Sequence, residues 1–350
     1  MSDGSSTTGE TMSRDVGHDR EMDGQDGAGR PTWERLHLPF RPPLRATNAA
    51  FAHPFEVAFA RLLTHYRVRW SYEPTTFPIR WDEDDRAVEF MTPDFYLPDH
   101  RLYVELTTMR QRLVTRKHRK VRLLRALYPN IRIKILYRRD YLRLVQGSDA
   151  VDAPGQAATG RTVIGRNEIA ARLGKLAAEI ARAFGDDREP PLLVACGPGG
   201  RRVLADLAAP LAAAGLAYDA DEITVGRYRC RPDRPASGVT VRRRPSQDPA
   251  GRRVLVVHGI VSSGLSAAHV VRWLHRRGAR DVTTMACLDR RSARLVDVDL
   301  RFVGFEAPAE LLVGYGLHLR PELRDAPFVA TFCQAPTSEV AERSTGDVGD

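Results

Sequence analysis

Asp94 and Glu105 stand at positions where two neighbouring strands would bring their carboxylates together. Asp94 lies in Thr92-Pro93-Asp94-Phe95-Tyr96-Leu97 and Glu105 in Tyr103-Val104-Glu105-Leu106-Thr107, with the turn signal Pro98-Asp99-His100 between them. Two carboxylates so placed are an oxygen donor set of the kind that holds Mg²⁺ or Mn²⁺. Downstream, the segment from Arg110 to Arg125 carries eight Lys/Arg and no Asp/Glu, so a helix there offers a face for nucleic acid phosphates, DNA or RNA. A solvated, arginine-rich helix is the plain alternative. A second chemical segment is Arg253-Val-Leu-Val-Val-His-Gly-Ile-Val-Ser-Ser-Gly-Leu-Ser266. There a short buried strand runs into small hydroxyl residues and opens a helix. The backbone N–H groups and hydroxyls of Ser262, Ser263, Gly264, Leu265 and Ser266 would then converge on one point, a cradle for phosphate, although strand-to-helix turns of this kind also occur without a ligand.

The elements that must position these groups follow from periodicity. Phe55, Phe59, Leu62, Leu63 and Tyr66 recur at helical spacing over about 54–66. Strand-like stretches follow at Val68 to Tyr72, Thr76 to Ile79, Phe90 to Tyr96 and Leu102 to Leu106, then the basic helix at about 114–127 and a strand from Ile131 to Tyr137. After residue 160 a helix marked by Ile169, Leu173, Leu176, Ile180 and Phe184 precedes alternating strands and helices. The strands are Leu192 to Cys196, Val254 to Val257 and Val282 to Leu288; the helices are 201–214 and 265–277. Such alternation implies a mostly parallel sheet with ligands at the carboxyl ends of its strands.

The 350 residues leave room for two domains, and the charge is distributed accordingly. Residues 48–146 and 160–332 each carry a net charge of +8, while the flanks are acidic. The expected organisation is a disordered arm (1–47), a first domain (48–146), a linker (147–160), a second domain (161–332) and a disordered tail (333–350). Basic domains favour anionic partners. The four cysteines show no C-x-x-C spacing, no apolar signal core stands near the amino terminus, and no apolar run could span a bilayer. These features predict a cytoplasmic chain with no membrane partner, and leave a homo-oligomer open.

The succession Leu288-Asp289-Arg290, Asp299-Leu-Arg-Phe-Val-Gly-Phe-Glu-Ala-Pro308 and Leu312-Val-Gly-Tyr-Gly-Leu317, following the loop at 254–266, resembles the hypoxanthine-guanine phosphoribosyltransferases over about half of the chain. The resemblance implies that the loop grips a 5′-phosphoribosyl group, that Phe302 stacks on a purine whose edge the Val303 backbone reads, and that Arg290 faces the purine O6. Tyr228 falls where that family's mobile loop carries a Ser-Tyr pair. It implies a purine nucleotide or phosphoribosyl pyrophosphate as ligand and Mg²⁺ as cofactor. The sequence departs from the pattern at its acids, since His258, Gly259 and Ser262 stand where the family has carboxylates, Gly197-Pro198 replaces its Leu-Lys turn, and Ala309 beside Glu310 replaces its metal-linked aspartate.

Residues 48–145 resemble the PD-(D/E)xK nuclease superfamily. This implies catalytic Asp94, Glu105 and a lysine migrated to the next helix because Thr107 occupies the usual place, Lys117 first and Lys120 as the alternative, with Gln111 able to face the metal and Glu56 from the preceding helix joining Asp94 and Glu105 at it, Mg²⁺ or Mn²⁺. The expected fold class is thus α/β: a mostly parallel phosphoribosyltransferase domain preceded by a smaller, restriction-endonuclease-like α/β domain. Three functions follow as alternatives: a divergent purine phosphoribosyltransferase, a metal-dependent endonuclease regulated by nucleotide, and a non-catalytic nucleotide sensor.

Overall fold

The computed structural model describes residues 51–107, 111–146, 157–185, 189–226, 228, 238–317 and 321–334. The expected arm, the tail beyond Gln334, Cys230 and residues 147–156 of the expected linker lie outside the described residues. The first half contains α1 (Pro54–His65), β1 (Ser71–Tyr72), β2 (Phe77–Trp81), β3 (Ala87–Met91), β4 (Phe95–Leu97), β5 (Leu102–Thr107), α2 (Gln111–Leu127), β6 (Arg132–Tyr137) and α3 (Arg138–Gln146). The second contains β7 (Ala157–Ile164), α4 (Arg166–Phe184), β8 (Leu192–Cys196), α5 (Gly197–Ala213), β9 (Asp219–Val225), β10 (Val241–Arg243) and β11 (Arg253–Val261). It continues with α6 (Leu265–His275), β12 (Asp281–Asp289), β13 (Phe302–Glu306), β14 (Leu312–Val313), α7 (Pro321–Arg324) and β15 (Val329–Gln334).

α1 begins at a reciprocal cap. The His53 ring accepts the Phe55 N–H at 3.0 Å, and Glu56 Oε2 accepts the N–H groups of Ala52 (3.0 Å) and His53 (3.2 Å), with Pro54 in the first turn. Its apolar stripe, Phe55, Phe59, Leu62 and Leu63, packs on Phe95, Leu97, Val104, Leu106 and Leu136 of the sheet β1-β4-β5-β6. α2 covers the other face with Val121 and Leu124, meeting Phe77, Met91 and Ile133. Register then places the acids. Phe95 pairs with Val104 and Tyr96 with Tyr103 in the antiparallel ladder, so one step further Asp94 faces Glu105. β6 returns parallel to β5 through the α2 crossover.

The expected strand from Phe90 to Tyr96 is two strands. β3 pairs with β2 in a separate hairpin, β4 joins the four-stranded sheet, and the chain breaks at Thr92-Pro93-Asp94, where Pro93 has no N–H for a ladder. Asp94 therefore precedes a strand and does not end one. α3, unforeseen in the sequence, follows β6 directly.

In the second half the six-stranded sheet has the order β10-β9-β8-β11-β12-β13, parallel except for the edge strand β10. Along β11 the side chains alternate between two cores. Val254 and Val256 meet Val270 and Leu274 of α6, whereas Leu255 and Val257 meet Leu176 of α4 and Val203 and Leu207 of α5. A smaller sheet, β14-β15-β7, completes this half. β7 takes residues 157–160, so the linker is shorter than expected and its end is sheet, because the backbone there pairs with β15.

The halves are not beads on a string. Phe55, Phe59 and Tyr66 share one apolar cluster with Tyr228, Leu265, Leu295 and Val296. Arg132 on β6 pairs with Asp297 at 2.9 Å, and Lys134 Nζ donates to the carbonyl oxygens of Ser292 (2.8 Å) and Arg294 (2.6 Å). Among the described residues no helix is long and apolar enough to cross a membrane.

Candidate functional site

At the mouth of β11 the chain passes through Ser262 and Ser263 to Gly264, whose φ of +83° caps α6. Gly264 is required there: a Cβ would collide with the Val296 carbonyl oxygen, and the left-handed backbone is strained for any other residue. The Ser263 carbonyl accepts the N–H groups of Leu295 (2.9 Å) and Val296 (3.0 Å), fixing the loop to the 291–297 turn. The first helical bond runs from Ala268 N–H to Gly264 O (2.8 Å) and the Leu265 N–H approaches Ser263 Oγ at 3.4 Å, so the other N–H groups of α6's first turn are left to a ligand or water. They point, with the helix dipole, at the carboxyl edge of the sheet, as an anion site requires.

The acids that would accompany a metal–pyrophosphate complex are missing in space as well as in sequence. His258 is buried, its Nε2 has no hydrogen-bond partner, and burial reinforced by the Arg294 charge holds the imidazole down at about 4, hence neutral. A Cβ on Gly259 would lie 2.7 Å from Gly199 Cα, so an aspartate enters there only if the 197–199 turn moves. Asp289 is buried between Arg291 (3.0 Å) and Arg294. Among its described residues this half offers no carboxylate set that fits a bound Mg²⁺.

The residues expected to read the base contact other parts of the chain. Phe302 is buried in the core, with the Arg301 guanidinium 5.5 Å from its ring centroid. Arg172 on α4, which the sequence reading missed, donates to the carbonyl oxygens of Val303 (2.6 Å) and Gly304 (3.1 Å). Arg290 donates to the Pro308 and Glu310 carbonyls, each at 2.8 Å. Tyr228 is buried with its ring 5.0 Å from that of His65 on α1. Cys196 and Cys287 are free thiols that burial pushes up to about 12, far from thiolate chemistry at neutral pH.

In the first half the structure brings Asp94, Glu105 and Lys117 together. Lys117 Nζ lies 2.6 Å from Glu105 Oε1, 3.9 Å from Asp94 Oδ2 and 2.6 Å from the Leu106 carbonyl, to which it donates. Asp94 Oδ2 accepts the Leu106 N–H at 2.6 Å. Both carboxylates are buried, and Glu105 Oε2 has no hydrogen-bond partner. Burial and then the Glu105 charge push Asp94 up to about 7, and burial raises Glu105 despite Lys117. Burial alone would lower Lys117, but Glu105 and Asp94 more than offset it. The pair is short of positive charge, which a divalent cation at Asp94 and Glu105 would supply.

Glu56 does not join them as a ligand. Its Oε2 serves the α1 cap and also accepts the Tyr72 hydroxyl at 2.7 Å, and among the described residues no group of three His, Cys, Asp or Glu side chains is arranged to hold a metal. Its charge still reaches both acids. Lys120 donates to the Phe90 carbonyl, and the side chain of Gln111 lies outside the described residues.

The raised Asp94 has a stability signature. The folded chain keeps a proton that the unfolded chain releases at an ordinary carboxyl value of 3.8, so stability is lost as pH rises from about 4 through about 7. Asp94→Asn keeps an acceptor for Leu106 and removes that penalty. Thermal unfolding should show the variant melting above the wild type at pH 8, with the gap closing toward pH 4; a lower melting temperature at pH 8 contradicts the reading.

Residues 164–318 match the family model of the phosphoribosyl transferase domain. A hypoxanthine phosphoribosyltransferase of Salmonella typhimurium is 29% identical over 171 residues, 49% of this chain and 94% of that protein. A hypoxanthine-guanine phosphoribosyltransferase of Bacillus subtilis is 35% identical over 79 residues, 23% of this chain and 44% of that one. Among solved structures, a hypoxanthine-guanine phosphoribosyltransferase of Bacillus anthracis aligns with a TM-score of 0.45 at 24% identity, covering 51% of this chain and all of that one. Residues 164–318 are thus similar to the phosphoribosyl transferase domain.

Proposed function

We propose, from the similarity of residues 164–318 to the phosphoribosyl transferase domain, that this half binds a purine 5′-nucleotide at Ser262–Ser266 and that binding, not transfer, is its main task. The observation that carries this reading is the phosphate loop with its left-handed Gly264 beside a strand end stripped of carboxylates at 258, 259 and 262. The N–H groups of α6 and the hydroxyls of Ser263 and Ser266 hold the phosphate. Purine, in preference to pyrimidine, follows from the hypoxanthine enzymes that this half resembles. Incubation with phosphoribosyl pyrophosphate and hypoxanthine or guanine should give no appreciable inosine or guanosine monophosphate; turnover at an ordinary enzyme's rate overturns the preference for binding.

A second activity is favoured by a separate observation, the buried Asp94–Glu105–Lys117 constellation. We infer a metal-dependent phosphodiesterase acting on nucleic acid. Asp94 and Glu105 would hold the divalent cation, which when bound supplies water activation and charge stabilisation. Lys117 sits where its ammonium can neutralise charge gathering on the scissile phosphate. Substrate contact falls on fewer cations than the sequence offered. On α2, Arg119 pairs with Glu89 (2.5 Å), Arg125 donates to the Ile133 carbonyl and Lys120 to that of Phe90, which among the described side chains leaves Arg116 and Arg122 exposed for phosphates. Arg116→Gln with Arg122→Gln should lower nucleic acid affinity and reduce the log–log salt slope by roughly two. An unchanged slope in binding titrations places the substrate elsewhere.

A further inference from the structure

The phosphate loop is touched by the other half of the chain. The hydroxyl of Tyr66, the residue that closes α1, lies 3.5 Å from Ser266 Oγ, and Arg272 of α6 donates to the Tyr66 carbonyl at 2.8 Å. Tyr66 is buried, so its hydroxyl has little freedom to leave. The ring of its neighbour His65 lies tilted against that of Tyr228, centroids 5.0 Å apart, and the His65 carbonyl accepts the Val239 N–H at 3.1 Å. The start of α1 is about 18 Å away, one rise of 1.5 Å for each of its 12 residues. Along its length α1 packs with Phe55, Phe59 and Leu62 on Phe95, Val104 and Leu106, the residues adjoining Asp94 and Glu105.

A second connection runs in parallel. Ser263 O holds Leu295 and Val296, and the same 291–297 turn is gripped by Lys134 through Ser292 and Arg294 and by Arg132 through Asp297. Lys134 lies on β6, which is hydrogen-bonded in parallel register to β5; there Val104 faces Lys134 and Glu105 faces Ile135. The loop for the nucleotide and the pair for the metal are thus joined by one rigid helix and one strand pair.

We propose that Tyr66 is a further phosphate-binding residue of the nucleotide site, contributed by the first half, and that nucleotide occupancy is thereby coupled to divalent-metal binding at Asp94 and Glu105. The proposal rests on the two binding sites argued above. A phosphate at Ser266 accepts the Tyr66 hydroxyl, which lies 3.5 Å from Ser266 Oγ. That contact anchors the end of α1, and the 291–297 turn anchors β6. Each ligand then meets a partner element the other has already fixed, so the sign of coupling is mutual tightening. Linkage demands equal factors in both directions.

The test uses the full chain with guanosine monophosphate and Mn²⁺ as probes, each titrated by calorimetry in the absence and presence of the other. Saturating nucleotide should tighten Mn²⁺ binding roughly fivefold or more, and saturating Mn²⁺ should tighten nucleotide by the same factor. Tyr66→Phe should keep the fold and both binding events, weaken nucleotide modestly and bring the factor close to one. Lys134→Met, which leaves both sites' own groups in place, should reduce it in part. Both ligands binding independently in the wild type, or Tyr66→Phe retaining the full factor, overturns the coupling and leaves the two sites standing. Failure of either ligand to bind overturns the coupling together with the reading of that site.

Discussion

Replacing Asp94 or Glu105 with alanine is expected to reduce metal-dependent nucleic acid cleavage to background, a loss of at least about 100-fold. Either substitution leaves one buried carboxylate with Lys117 alone, 2.6 Å from Glu105 or 3.9 Å from Asp94, a neutral pair with no need of a divalent cation. Binding should survive, because Arg116 and Arg122 lie on the exposed side of α2 and touch neither acid. Screening wild type and variants with Mg²⁺ and Mn²⁺ against single-stranded, duplex and mismatched DNA and against RNA separates the two roles. If no substrate is cut in an Asp94-dependent manner, the first half is a binding module and the constellation a buried ion pair.

The second large effect belongs to Gly264. Gly264→Val must place a side chain against the Val296 carbonyl and abandon a φ of +83°. The loop then opens, the N–H groups of α6 lose their common focus, and nucleotide affinity should fall at least tenfold, about 1.4 kcal/mol. Ser266→Ala, which strips one hydroxyl and leaves the backbone intact, should cost less. Equal losses in the two variants, by calorimetry on folded protein, would mean that side chains and not the backbone cradle hold the phosphate.

What was legible in the sequence was local. The 3.6-residue stripe of α1, the basic run of α2, the alternation of strands and helices after residue 160 and the small-residue turn at 262–264 each announce their element within a dozen residues. The facing of Asp94 and Glu105 could be read because so short a turn fixes an antiparallel register, and Lys117 because a helix follows at once. What could not be read is pairing over long separations. Arg172 meets Val303 from 131 positions away, Lys134 meets Arg294 from 160 and Tyr66 meets Ser266 from 200, and no local pattern marks any of them. The same holds for Glu56, an acid at the right place whose carboxylate is drawn into the helix cap. Arg290 and Tyr228 match motif positions, yet carbonyl groups and α1 claim their side chains.

The central claim is that the carboxy-terminal half, similar to phosphoribosyl transferase domains, is a nucleotide receiver whose grip depends on backbone and hydroxyl groups and not on metal-bound carboxylates. Calorimetric titration of the full chain with inosine and guanosine monophosphates, without added divalent metal, tests it most directly. The account predicts saturable binding of one equivalent per chain. Absence of binding by either nucleotide, or binding that appears only when Mg²⁺ is supplied, would contradict it.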